Sequence, residues 1–263
     1  MVTGVNERGI LVISVLSARH SLAAPVLAGL LACILSGCGP GFEANSSRSF
    51  SDTAALASEG GQDESTPTST NGRLKLDLKL DADEVDAAWN RKDDAISWNK
   101  ITIKALEDFG PALLTEDPID AKSFCPRYHR LGLNERGEFW VKLISAMAAR
   151  ESSFDEDLNY TEAFNDSSNT RVISRGLLQI SKESALNYKC DIDVGRDLLK
   201  AENNIPCGVK ILNHWMIRDK MIGSGKTNAW KGGARYWSVF RKDSTRSKIQ
   251  ASLDELEFCK ARD

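Results

Sequence analysis

The chain has 263 residues, 41% of them apolar and 27% charged, with 34 basic side chains against 37 acidic ones and a formal charge of −3. That is enough for one or two domains with a hydrophobic core, and it excludes a collagen-like repeat, a polytopic membrane protein and a chain disordered throughout. The near-neutral balance gives no drive toward nucleic acid, whose binders carry a basic surplus, so no nucleic-acid partner is expected.

In chain order, the first feature is an apolar run over residues 21–34, preceded by Arg19 and His20 and ending at Leu35-Ser36-Gly37-Cys38. Such a run is too short to span a bilayer comfortably but suits the core of a signal peptide. Leucine, two small residues and cysteine resemble the lipobox of bacterial lipoproteins, which implies cleavage before Cys38 and lipidation of its thiol. Residues 1–37 are then a signal peptide, and several acyl chains on Cys38 anchor the protein to a membrane. Gly39 stands where an inner-membrane retention signal has aspartate, so the expected location is the outer membrane, facing the periplasm. Simple secretion follows if the cysteine is incidental. Residues 38–73 are rich in Ser, Thr, Gly and acids without sustained periodicity, which predicts a flexible lipidated tether.

Four cysteines remain beyond the anchor: Cys125, Cys190, Cys207 and Cys259. In an oxidising compartment an even set predicts two disulfides, with three possible connectivities. Cys190 and Cys207 flank a short connection between expected helices, and Cys125 and Cys259 stand near the two ends of the folded region. The spacing therefore favours 190–207 with 125–259. No C-x-x-C or close Cys/His pair supports a metal site, and no cofactor is expected. Asp155, Asp157 and Asn159 have the spacing of a calcium loop, but Tyr160 stands where that loop needs glycine.

Residues 74–80 alternate leucine with polar residues and predict a short strand. Residues 83–108 predict one or two amphipathic helices carrying Trp89, Trp98, Ile101, Ile103 and Leu106, and 117–137 read as connection punctuated by Pro118 and Pro126. Together, residues 74–135 are expected to form a helical extension packing on a catalytic domain of residues 136–263. Within that domain, 138–150 is the clearest helix, with Trp140, Ile144 and Met147 at helical spacing. Residues 152–172 are polar and turn-rich, predicting a loop or small hairpin. Helices are then expected near 181–187, 198–218, 229–241 and 247–261. Several helices around one short polar β region predict an α+β fold, mainly α.

Glu151 lies four residues after Met147, so it extends the apolar stripe instead of the solvent face. Burial disfavours a charged carboxylate and raises its pKa, and the negative end of the helix dipole acts in the same direction. A carboxyl group that stays protonated near neutral pH is what glycosidic-bond cleavage needs to protonate the leaving oxygen. Around it, Ala149-Arg150-Glu151-Ser152-Ser153-Phe154 is followed by Arg175-Gly176-Leu177-Leu178-Gln179-Ile180, then by Asn204-Ile205 with Gly208 and Ile211-Leu212, and then by Tyr236. These four motifs, in this order over residues 138–242, resemble the lysozyme-like lytic transglycosylase (SLT) superfamily, which includes relatives of goose-type lysozyme.

The resemblance implies a lysozyme-like fold with a small β region beside an active-site cleft. It implies Glu151 as catalytic acid, with Ser152 near the cleft. Gly176, Leu178 and Gln179 match its G-L-M-Q element, with leucine for methionine, which makes Leu178 and Gln179 substrate-binding candidates; Gln179 bonds sugar or orients Glu151. Asn204 and Gly208 match a helix packing beneath the cleft. Tyr236 matches the tyrosine of an A-Y-N motif, although Trp237 replaces the asparagine. The implied substrate is the glycan strand of peptidoglycan, cut at the MurNAc–GlcNAc β-1,4 bond by a protein expected to be monomeric.

Lytic transglycosylases use one glutamate and the substrate's own 6-hydroxyl, whereas an inverting hydrolase adds a second carboxylate about 6.5–9.5 Å away to activate water. Six acids and no base occupy residues 151–166. Glu162 is the expected second carboxylate, with Asp157 or Asp166 behind it. A cluster of negative charge at the cleft favours a cationic, de-N-acetylated sugar, and the layout resembles the deacetylation-specific lysozymes of predatory bacteria. The rival readings are a lytic transglycosylase that leaves 1,6-anhydro-muramyl ends and a non-catalytic peptidoglycan-binding lipoprotein.

Overall fold

The computed structural model describes residues 76–224 and 229–260. The expected signal peptide, the lipidation site Cys38 and the tether lie outside the described residues. The fold is α-rich with a small antiparallel sheet. Its helices are α1 (Ala95–Phe109), α2 (Pro111–Thr115), α3 (Leu133–Glu151), α4 (Lys182–Asn187), α5 (Ala201–Asp219) and α6 (Asp243–Leu253). Strands β1 (Asn159–Asn165), β2 (Arg171–Arg175) and β3 (Ile180–Ser181) pair in the order β1-β2-β3, and β4 (Gly223–Ser224) pairs with β5 (Lys231–Gly232).

At the centre runs α3. It starts five residues earlier than its apolar periodicity predicts, because the Glu135 carboxylate reaches back to accept from Gly132 N at 2.9 Å and satisfies a free N–H at the helix start. Every residue from Phe139 to Ala148 is buried. Enclosure of a helix on all sides requires partners for its polar face. Lys142 Nζ donates to Asp86 and Glu255, each at 2.7 Å, and Ser145 Oγ accepts from Ala88 N at 2.8 Å. On the other side, Trp140 Nε1 donates to Leu113 O at 2.7 Å, next to Tyr128 and Phe139.

Three sequence expectations change. Residues 76–80 form no strand. Leu76 and Leu78 are buried, yet Leu78 N donates to the Glu107 side chain and Lys79 N to the Asn134 side chain, so the backbone bonds go to side chains instead of a neighbouring strand. Over 83–108 only α1 is helical, preceded by turns. Residues 229–241 form β5 and two 3-10 turns instead of a helix. Gly232 has φ 56°, and a Cβ there would lie 2.2 Å from Met221 O, which fixes a tight reversal where helical dihedrals were expected. The expected hairpin over 152–172 is present as β1 and β2. It is irregular, because β1 carries two more residues than β2 between the pairs Thr161–Ile173 and Asn165–Arg171.

Both disulfides are formed, Cys125–Cys259 and Cys190–Cys207. The first closes a sequence separation of 134 residues. Removing a cross-link over so long a loop frees the unfolded chain and costs about 4–5 kcal/mol in the chain-entropy account. A Cys125→Ser/Cys259→Ser variant is therefore expected to unfold at markedly lower urea, whereas an unchanged midpoint would show that this link does not limit the unfolded state.

Candidate active site

Where α3 ends, the chain opens into a cleft of about 330 Å³. Glu151, the last residue of α3, forms one wall. Opposite stand Glu162 and Phe164 of β1 with Val172 and Ser174 of β2, and the remaining sides come from Gln179, Ser181, Glu183 and Ser184 and from Tyr236, Trp237 and Arg241. Glu162 accepts a 2.7 Å hydrogen bond from Ser174 Oγ, which orients the carboxylate across the two strands.

Glu151 has the most perturbed environment of the cleft acids. Among the described residues its Oε1 is buried without a hydrogen-bond partner. Burial, the larger cause, together with the Glu162 charge, pushes its pKa up to about 7 against a weaker opposing pull from Arg241. The carboxyl is thus placed to hold its proton near neutrality.

Strain is concentrated at the same place. Ser153 and Phe154, directly after α3, have φ 56° and 68°, and Gln179 has φ 48°. Left-handed backbone at non-glycine residues costs on the order of 1–3 kcal/mol each and persists only where the surroundings hold it.

The turn bearing Gln179 is held by one buried side chain. Asn204 Oδ1 accepts from Leu178 N at 2.8 Å, while its Nδ2 donates to Arg175 O and Leu198 O at 2.9 and 2.8 Å. Gly176 has φ 69°, and a Cβ on it would lie 2.2 Å from Leu198 O and 2.6 Å from Asn204 Nδ2, so only glycine fits. Trp237 Nε1 adds a 2.8 Å bond to Leu178 O. Trp237, which replaces the asparagine of the resembled motif, is therefore a buried brace for this turn.

The structure reassigns two candidates and places a third. Leu178 is fully buried, and its side chain fills the space that a Cβ on Gly208 would need, so it packs against α5 instead of touching a ligand. Ser152 is also buried, with its hydroxyl donating to Ala148 O at 3.3 Å, outside the cleft lining. Gln179 does line the cleft, but its amide donates to Gly176 O and Leu158 O at 2.8 and 3.2 Å instead of to Glu151.

Tyr236 lines the cleft as expected, and its hydroxyl accepts from Ser181 N at 3.3 Å. Of the alternative second carboxylates, Asp166 accepts from Ser168 Oγ, and also from Thr170 N and Ser168 N, in the hairpin turn, which holds its pKa low, and neither it nor Asp157 lines the cleft. Asp155 and Asn159 make local turn bonds, and among the described residues no cluster of three or more His, Cys, Asp or Glu side chains is placed to hold a metal.

Two charged cleft residues had no signal in the sequence. Glu183 adds a third carboxylate from α4, and Arg241 adds a cation held by Ala234 O, Arg235 O and Tyr236 O. Glu183 reads as an ordinary polar residue of a short helix, and Arg241 as the end of a helix that the structure does not form.

No family model and no curated protein matches the chain. Solved structures do. The wild-type form 2 of Bd0314 DslA, a Bdellovibrio protein, superposes with a TM-score of 0.65 at 41% identity, covering 67% of this chain and 98% of that one. Two glutamate-to-glutamine mutants of Bd0314 DslA match at TM-scores of 0.65 and 0.64, with 41% and 42% identity, 67% coverage of this chain and 98% and 99% of theirs. Exchanging glutamate for glutamine keeps shape while removing acid–base chemistry, which points to a catalytic protein. The two substituted glutamates stand eleven positions apart in that chain, the spacing that separates Glu151 from Glu162 here.

The raised pKa of Glu151 has a consequence for stability. Between pH 4.5 and about 7 the folded chain keeps a proton at this site that the unfolded chain releases. Folding stability therefore falls as pH rises through that window, by about 3 kcal/mol at most, and is level in this respect above 7. Glu151→Gln is expected to remove that slope and to be the more stable protein at pH 8. Denaturant titrations of both proteins at pH 4, 6 and 8 check it, and parallel curves would rule it out.

Proposed function

The chain belongs to the family of Bd0314 DslA, and from that premise we propose that it is a lysozyme-like enzyme hydrolysing the MurNAc–GlcNAc β-1,4 bond of peptidoglycan glycan strands. The observation that carries this reading is a buried carboxyl whose Oε1 has no hydrogen-bond partner among the described residues and whose pKa is pushed up to about 7, with a second carboxylate lining the same open cleft.

Protonated Glu151 gives its proton to the glycosidic oxygen as the C1–O bond breaks and positive charge develops on the sugar ring. Glu162 takes a proton from a water that attacks C1, which completes hydrolysis. The Ser174 bond keeps Glu162 turned toward the cleft, and Tyr236 and Arg241 bound the sugar's other side. No cofactor takes part in this scheme. With Glu151 holding its proton, the carboxylates of Glu162 and Glu183 against the one guanidinium of Arg241 favour a de-N-acetylated, cationic sugar over its neutral acetylated form. The rest of the proposal concerns delivery: residues 1–37 export the chain, Cys38 carries the lipid that holds it at the outer membrane, residues 38–73 give it reach, and residues 74–135 pack on a catalytic domain of 136–263.

Glu151→Gln is expected to lower muralytic activity by about 10³-fold or more without unfolding the protein. Glu162→Gln is expected to slow hydrolysis by about 10²–10⁴-fold. It also removes the charge that helps hold up the Glu151 pKa, so the alkaline limb of the remaining activity moves to lower pH. Product mass spectrometry should find reducing ends; anhydro-muramyl ends would replace hydrolysis by transglycosylation, and sacculi bound but not solubilised would leave only a binding protein. De-N-acetylated sacculi are expected to be digested several-fold faster than acetylated ones, with the preference shrinking as salt rises. Equal rates would remove that specificity.

A further inference from the structure

A second concave surface lies on the far side of α4. Glu183 and Ser184, near the start of this helix, line the catalytic cleft, whereas Tyr188 and Lys189, just past its end, line the second groove with Lys210, His214 and Trp215 of α5. Aromatic rings connect the two hollows. Tyr236 in the cleft wall is 6.3 Å from Tyr188, which is 5.3 Å from His214 and 6.5 Å from Trp215.

The groove is held in shape by its own bonds. The Cys190–Cys207 disulfide ties the residue after Lys189 to α5. Lys210 Nζ donates to Lys189 O at 2.8 Å and sits 4.4 Å over the Phe109 ring, which fixes one ammonium in place and leaves it further N–H donors. Lys189 occupies a left-handed backbone position, φ 54°, where glycine is the cheaper residue.

Charge reverses sign across α4. The cleft carries the carboxylates of Glu162 and Glu183 beside the protonated Glu151, against the single guanidinium of Arg241. The groove carries Lys189 and Lys210, with the Arg218 guanidinium 5.2 Å from the Trp215 ring, and among the described residues no carboxylate lines it. A ligand suited to both sides has an amine-bearing or neutral part in the cleft and an anionic part beyond Tyr188.

We propose that this groove binds the carboxylate-bearing peptide attached to the glycan strand under cleavage. The inference rests on the glycan-cleaving function proposed above, which puts a peptide-bearing sugar in the cleft. An extended peptide advances about 3.3–3.6 Å per residue, so about four residues carry it from Tyr236 past Tyr188 to Trp215. Its carboxylates meet the ammonium groups of Lys189 and Lys210, and its aliphatic parts lie on the rings of Tyr188 and Trp215. Helix α4 then acts as a divider that sets the register of the strand, with sugar on the acidic side and peptide on the basic side.

Two measurements test this. First, the soluble tripeptide L-Ala-γ-D-Glu-diaminopimelate is titrated into the wild-type protein and into Lys189→Glu, with tryptophan fluorescence as the signal. Saturable binding that weakens with salt, and weakens about fivefold or more in the variant, is expected. Absence of binding to wild type, or equal affinity in both proteins, overturns the inference. Second, cleavage of intact sacculi is compared with that of strands stripped of peptide by an amidase. Lys189→Glu and Lys210→Ala are each expected to raise KM on intact sacculi about fivefold with kcat kept, and to cut stripped strands as wild type does. The same change on both substrates would assign these lysines to the fold and defeat the proposal. If wild type cuts neither substrate, the proposed function fails by itself, while the tripeptide titration still decides whether the groove is a peptide site.

Discussion

The arrangement depends on the complete enclosure of α3. A helix buried from Phe139 to Ala148 has no solvent to satisfy its polar side chains, so each has to be met by a segment brought in from elsewhere. Lys142 draws in Asp86 from before α1 and Glu255 from after α6. Ser145 engages Ala88, and Trp140 engages the backbone at Leu113. Breaking the Lys142 pairs would strand a buried charge, which costs several kcal/mol, whereas the pairs themselves add little net stability. Their effect is to specify where the flanking segments lie. With its axis fixed on all sides, α3 delivers its last residue, Glu151, to one position at the cleft.

The opposite wall is set by a second device of the same kind. One buried side chain, Asn204, satisfies three backbone groups of the segments around Gly176, and Trp237 satisfies a fourth. These bonds hold Gln179 at positive φ, as the packed end of α3 holds Ser153 and Phe154. Strained backbone on both sides of the acid pair shows where packing energy is spent to fix geometry.

Much of this was readable in the residues, though unevenly. The stripe Trp140–Ile144–Met147–Glu151 located the central helix and the carboxyl at its end, because period and burial agree there. Spacing also favoured the disulfide pairs that the structure forms. Periodicity misled where partners come from far away. The leucines at 76 and 78 alternate as in a strand, but side chains from α1 and α3 accept the backbone bonds of Leu78 and Lys79. The 229–241 segment has apolar residues at helical spacing, yet the Gly232 reversal prevents the helix. Ser152 and Leu178 occupy motif positions beside the acid and prove to be packing residues, since a motif records neighbourhood in sequence and not which side of a turn faces the cleft. Glu183 and Arg241 could be found only in three dimensions.

Glu255 and Cys259, the second cysteine of the Cys125–Cys259 link, both follow α6. Translation runs from the N-terminus, so α3 is synthesised more than a hundred residues before the segment that completes its enclosure. Until that segment arrives, Lys142 lacks one of its two carboxylates and the covalent clasp across the domain cannot close. The helix that carries the acid therefore reaches its finished environment only when the chain through Cys259 is available and its thiols can oxidise. In this fold the order of synthesis and the redox compartment together set the moment at which the cleft is fully formed.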